Sequence, residues 1–211
     1  MYGLILQQPA DNIDGYGRHS PQSELLKKVT SMRALYHLCP SALDDEHITK
    51  INDLARDQPA QDGTIFSSAE DMQSIRSSSI RWLTDEWLRD LLIGYIQNAN
   101  AASFGVDLDD KVEIQFTEYH AVQNGHYDWH HDVYWNGQDD SDRKLSMTVQ
   151  LSDPADYGGG TFEFDEVQTT ADFTATGTIL MFPSYLRHRV LPVTSGTRRS
   201  LVAWFSGPRW R

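Results

Sequence analysis

One cysteine in 211 residues, Cys39, excludes an internal disulfide, so packing alone must hold whatever core this chain folds around. Its neighbours Leu38 and Pro40 point to a packed, inert thiol in a reducing compartment. Basic residues are scarce, with 18 Lys and Arg against 30 Asp and Glu and a formal net charge of −12. That balance disfavours attraction to a phosphate backbone and argues against a nucleic-acid partner. No apolar run approaches the roughly 18 residues of a membrane span. The opening Met-Tyr-Gly-Leu-Ile-Leu lacks the basic flank and the apolar length of a secretory leader. A soluble, cytoplasmic protein is the expectation. Linkers, repeats and low-complexity tracts are missing as well, so 1–211 reads as a single domain.

What is present divides by period. Residues 20–100 read as helical support. A weak helical pattern covers 22–34, and a helix from Asp44 to Arg56 would carry Ile48, Ile51 and Leu54 on one side with acids in its first turn. Thr84 is the expected N-cap of the clearest helix, in which Trp87, Leu88, Leu91, Leu92, Tyr95 and Ile96 recur at helical spacing. From Lys111 the period falls to two, as in Val112, Ile114, Phe116 and again Leu145, Met147, Val149, Leu151. Turn residues at Asn136-Gly137, Asp153-Pro154, Gly158-Gly159-Gly160, Gly177 and Ser195-Gly196 punctuate the run into about seven or eight short strands. The fold class expected is mainly β (α+β), a jelly-roll core over 110–208 with N-terminal supporting helices.

The chemistry concentrates in Tyr127-Asp128-Trp129-His130-His131-Asp132. Residues two apart on a strand face the same side, so His130 with Asp132, or His126 with Asp128, can meet one ion. Spacing does not choose between the two pairs. His188 follows the apolar strand Gly177–Pro183, where a histidine needs a hydrogen-bonding or ligating role. Two histidines and a carboxylate hold a metal on one side only and leave positions open, the arrangement of non-haem Fe(II) oxygenases. Arg198 or its neighbour Arg199 can grip a carboxylate with two parallel hydrogen bonds. A zinc hydrolase using the same three ligands would lack a convincing general base.

Three segments in order carry a resemblance: Tyr119 to Gly125-His126-Tyr127-x-x-His130-x-Asp132, Asp156-Tyr157-Gly158-Gly159-Gly160-Thr161-Phe162-Glu163-Phe164, and Phe182-Pro183 to His188 and Gly196-Thr197-Arg198. Together they resemble the prolyl 4-hydroxylase-like branch of the Fe(II)/2-oxoglutarate oxygenases, over about residues 110–208. Arg76-Ser77-Ser78-Ser79-Ile80-Arg81-Trp82 and the 84–100 helix resemble the N-terminal support of phage and bacterial members. The resemblance implies a double-stranded β-helix of cupin-like type. It implies the metal ligands His130, Asp132 and His188, because a tyrosine precedes the ligand histidine by three, as Tyr127 does. His126 and His131 are then surface or supporting histidines. It further implies that Arg198, rather than Arg199, binds the distal carboxylate of 2-oxoglutarate, with Tyr119 donating to the same group.

The cofactors implied are Fe(2+), 2-oxoglutarate and O2, with ascorbate as an accessory reductant. The activity implied is hydroxylation of an unactivated C–H, foremost in a prolyl residue of a peptide or protein. A free amino acid or other small molecule is the alternative substrate, and a non-catalytic Fe(II)/2-oxoglutarate sensor the alternative function. Trp129, Tyr134 and Trp135 flank the ligand strand, and the polar loop 136–142 reads as a lid whose acids suit a basic peptide.

Overall fold

Strand β5 (Val112–His120) shows how the architecture is built, because its alternate residues are buried on opposite faces for opposite reasons. Ile114 and Phe116 enter an apolar cluster with the helices, while Gln115, Thr117 and Tyr119 point into the space between two sheets. The computed structural model describes residues 34–63, 75–137, 139–168 and 172–211. The helix expected over 22–34, all but Ala34, and the opening twenty residues lie outside the described residues.

In chain order the elements are β1 (His37–Cys39), α1 (Asp45–Arg56), β2 (Gln61–Asp62), β3 (Arg76–Ser77), β4 (Ser79–Leu83) and α2 (Glu86–Ala99), then β5. There follow β6 (His126–His130), β7 (Ser141–Gln150), β8 (Tyr157–Gly159), β9 (Phe162–Phe164), β10 (Ile179–Pro183), β11 (His188–Val190) and β12 (Val193–Pro208). The large sheet runs β1-β10-β7-β12-β5-β4-β2 with β8 beside the start of β12, and the small sheet runs β3-β6-β11-β9. All pairings are antiparallel, and the pair of sheets is a double-stranded β-helix.

One face of the large sheet is closed by the helices. Leu88, Leu92 and Ile96 of α2 and Ile48 and Ile51 of α1 pack on Leu145, Met147, Val149, Leu201 and Phe205. Each such side chain contributes about 1.5–3 kcal/mol by leaving water. Gly177 is required where α1 meets β10: its φ is +75°, and an added Cβ would fall 2.0 Å from the Leu43 carbonyl oxygen. Cys39 packs against this cluster, and burial pushes its thiol up, which keeps it protonated and inert.

Several expectations need correction. The N-cap of α2 is Asp85, whose carboxylate accepts the Leu88 N–H, and not Thr84. Both residues are capping types, and only the turn geometry selects one. In α1 the third buried position is Ala55, with Leu54 half-buried. The first hundred residues are not purely helical support, since β1 to β4 lie among them. Strands of two to five residues carry too little periodicity to be read, and β4 is held mainly by pairing along β5 from Ser79 opposite Glu118 to Leu83 opposite Ile114. Among the described residues, no helix is long and apolar enough to cross a membrane.

Candidate metal centre and carboxylate pocket

His130 and His188 end up side by side because β6 and β11 are paired with these two residues opposite one another. Their ring centroids are 4.2 Å apart. Asp132 lies just beyond the end of β6, anchored by its backbone N–H donating to the Ser184 carbonyl at 3.0 Å. One ligand atom from each of the three residues falls within 4.8 Å of the other two. Asp132 Oδ1 is 3.7 Å from His130 Nε2, and Asp132 Oδ2 is 3.6 Å from His188 Nε2.

Which nitrogen faces the centre follows from the backbone. His130 Nδ1 lies 2.7 Å from the Asp128 carbonyl and His188 Nδ1 lies 2.9 Å from the Leu186 carbonyl. A carbonyl can only accept, so both Nδ1 atoms donate outward and both Nε2 atoms turn toward Asp132. Burial, and next the nearby His188, push His130 down to about 3, so its ring stays neutral. Burial alone would raise the Asp132 carboxyl, but His188, His130 and the Ser146 hydroxyl hold it below the usual carboxylate range. Ser146 Oγ donates to Asp132 Oδ2 at 2.6 Å and lies 2.9 Å from Ser184 Oγ. Two imidazoles with Nε2 turned inward and an oriented carboxylate on one side, with a cavity on the other, fit a divalent metal such as iron.

That cavity, about 250 Å³, lies between the sheets. At one end Arg198 is 4% exposed and forms no ion pair with any described residue. It stands opposite Tyr119 on the neighbouring strand, its guanidinium 5.8 Å from the phenol ring centroid. Gly160 gives it room, since a Cβ there would fall 2.8 Å from Arg198 Cδ. A buried, unpaired guanidinium is costly unless an anion arrives, so this end of the pocket fits the distal carboxylate of 2-oxoglutarate. Arg199 points the other way and pairs with Glu118 at 3.0 Å.

The remaining histidines and aromatics sort by position. His126 Nδ1 bonds to the Asn124 carbonyl and His131 Nδ1 to the Tyr185 carbonyl, each at 2.7 Å. Asp128 is exposed and caps the Trp129 N–H. Tyr127 stacks on His130 with centroids 3.5 Å apart, and burial raises its phenol to about 12. Of the three aromatics expected at the substrate side, Tyr134 lines the cavity. Trp129 instead lies under Arg189 and Arg187 at 4.3 and 5.4 Å, and Trp135 is exposed away from the lining. The described acids of the 136–142 loop lie outside the lining too; Asp142 Oδ2 accepts the Trp210 N–H at 2.7 Å.

The sequence reading missed Ser146, Arg76, Trp82, Trp204 and Arg143, all at or beside the cavity. The signal for Ser146 was available. On β7 the residues Ser146, Thr148 and Gln150 alternate with Leu145, Met147 and Val149, a pattern that ordinarily marks a wet outer face. Here the polar face is the inside of the cup, and Ser146 and Gln150 are 0% and 3% exposed.

Residues 114–206 match the 2OG-Fe(II) oxygenase superfamily. A PKHD-type hydroxylase of Synechococcus sp. (strain CC9311) is 39% identical over 83 residues, 39% of this chain and 37% of that relative. The match thus spans little more than a third of the relative's length. A prolyl-4-hydroxylase from Pseudomonas putida superposes with a TM-score of 0.65 at 19% identity, covering 90% of this chain and 100% of the other. A prolyl hydroxylase from Trichoplax adhaerens, in complex with a hypoxia inducible factor oxygen degradation domain peptide fragment, gives 0.62 at 17% identity, covering 89% and 93%. The superpositions establish the shared fold, and the matched segment contains His130, Asp132, His188 and Arg198 in the geometry just described. Over residues 114–206 the chain is similar to the 2OG-Fe(II) oxygenase superfamily.

Proposed function

We propose that the protein is an Fe(II)- and 2-oxoglutarate-dependent dioxygenase that hydroxylates an unactivated C–H, in a prolyl residue of a peptide or protein. The observation that carries this reading is the sharing of one cavity by the His130, Asp132, His188 set and the unpaired Arg198. With iron and O2, 2-oxoglutarate loses CO2 and becomes succinate, one oxygen atom entering succinate and the other the substrate as hydroxyl.

The chain's own part is positioning and exclusion. His130, Asp132 and His188 are the metal ligands in this reading, their orientation set by the Asp128 and Leu186 carbonyls and by Ser146. Arg198 and Tyr119 hold the distal carboxylate; Tyr119 is 3% exposed and burial raises its phenol, so it donates rather than ionises. Phe162 and Phe182 pack against His188, with centroids 5.4 and 4.8 Å away, and keep that side dry.

The prolyl substrate is supported by the far wall. Trp82 and Trp204 meet there at 6.1 Å with their rings tilted 46° to one another, beside Ile80 and Val202, an apolar corner for a saturated ring. The buried Trp204 Nε1–H has no acceptor among the described residues, so it can donate to a carbonyl beside such a ring. The Trichoplax neighbour, bound to a peptide fragment, supports a peptide occupant. The test is Fe(II)-dependent release of succinate from 2-oxoglutarate, with mass spectrometry of proline-containing peptides for the gain of one oxygen atom. Succinate formation that persists in His188→Ala would sink the site assignment. Succinate without peptide oxidation would leave the oxygenase and remove the prolyl substrate.

A further inference from the structure

Arg198 is not alone in the cavity as a buried cation without an acid among the described residues. Arg76, at the start of β3, is 8% exposed and lines the same space. Among the described residues its guanidinium meets only neutral groups. Nε donates to Ser78 Oγ at 2.8 Å, Nη2 donates to Gln115 Oε1 at 2.7 Å, and the plane lies over the Tyr127 ring, 4.5 Å from its centroid. Nη1 donates to no described residue, and no described carboxylate pairs with Arg76. The third guanidinium on the lining, that of Arg143, is already paired with Glu113 at 3.0 Å.

The placement is specific. β3 pairs with the ligand strand β6 so that Arg76 stands opposite Tyr127, the residue stacked on His130. Gly63 leaves space for it, since a Cβ there would fall 2.6 Å from Arg76 Nε. Charge then decides the occupant. A divalent metal on the Asp132 set and dianionic 2-oxoglutarate on Arg198 leave the cavity one positive unit in excess, and that unit sits on Arg76. An uncompensated buried cation is expensive, and a matching anion relieves the cost.

We propose that Arg76 is a second carboxylate subsite and that the molecule oxidised here presents its own carboxylate to it, as a C-terminal prolyl group does. The proposal rests on the oxygenase reading above and narrows its substrate class. A carboxylate at Arg76 could also belong to 2-oxoglutarate itself, and the experiment separates these sources.

The full chain, loaded with Mn(II) and 2-oxoglutarate, is titrated calorimetrically with N-acetyl-L-proline and with N-acetyl-L-prolinamide. Wild type should prefer the acid by about tenfold or more, the effect of one charge-assisted hydrogen bond. R76Q should erase the preference while 2-oxoglutarate affinity stays within about threefold, because Arg198 is untouched. R76K, keeping the charge, should retain part of the preference and so show that R76Q lost the subsite and not the fold. Binding of neither probe, equal binding of both, or a preference that survives R76Q overturns the proposal. Loss of 2-oxoglutarate binding in R76Q overturns it too, by assigning Arg76 to the cosubstrate. Failure of the oxygenase reading is a different result: metal-loaded wild type takes up no 2-oxoglutarate.

Discussion

Ser146→Ala removes one oxygen atom from the interior and should weaken metal binding far more than it weakens the fold. Ser146 is 0% exposed, and its hydroxyl is the group that orients Asp132, donating to Oδ2 at 2.6 Å. Ser184 Oγ bonds to Ser146 Oγ at 2.9 Å and not to the Asp132 carboxylate. A hydrogen bond to a charged acceptor is worth about 1.5–3 kcal/mol net. Loss of a hydrogen bond that orients a metal ligand typically weakens metal affinity about 10–100-fold, or about 1.4–2.7 kcal/mol. Removing a hydroxyl leaves almost no cavity, so the packing cost is small beside this. The assay is a Mn(II) titration of apoprotein followed by electron paramagnetic resonance of the free ion, with thermal unfolding alongside. Ser146→Ala should bind Mn(II) 10–100-fold more weakly, about as that bond energy requires, while Ser146→Thr, which keeps the hydroxyl, should stay near wild type. A Ser146→Ala affinity within about twofold of wild type would refute the claim that this hydroxyl orients the ligand.

Three further expectations follow from the same structure. Arg198→Met should weaken 2-oxoglutarate binding to the Mn(II)-loaded protein by about 30-fold or more, since a buried bidentate pair is lost; unchanged affinity in equilibrium dialysis would move the anchor elsewhere. Glu118 links β4, β5 and β12 through Arg81 at 2.6 Å and Arg199 at 3.0 Å. Burial would raise its carboxyl, but the two guanidinium groups hold it below its ordinary value of 4.5, so its contribution is present above that pH and lost as pH falls through the lower folded value. Glu118→Gln should therefore cost about 1–2 kcal/mol at neutral pH, discounted for the partly exposed arginines, with the gap closing in acid; a gap in denaturant midpoints that does not change with pH would contradict this. Leu92→Ala, at a side chain 0% exposed in the helix-to-sheet core, should cost about 2–5 kcal/mol in urea unfolding and leave metal affinity nearly unchanged.

Much of this protein is written in local pattern. The switch of period at Lys111 and the α1 and α2 helices need only the geometry of a strand or a helix to be read, whereas the spacing that allows His130 with Asp132 allows His126 with Asp128 equally. That Arg198 and Arg199 face opposite sides was legible for the same reason, but not which of them faces the cavity. Tertiary structure decided the rest. His188 becomes the neighbour of His130 only when β11 pairs with β6, a contact between residues far apart in the chain. Arg76 enters the cavity because two residues of β3 extend the small sheet, too short a strand to leave a periodic trace. Ser146, Thr148 and Gln150 alternate with apolar residues as a surface strand does, and only the second sheet, closing over that face, turns a polar stripe into the lining of a site. Sequence period tells which residues share a face; what that face meets depends on which distant strand packs against it.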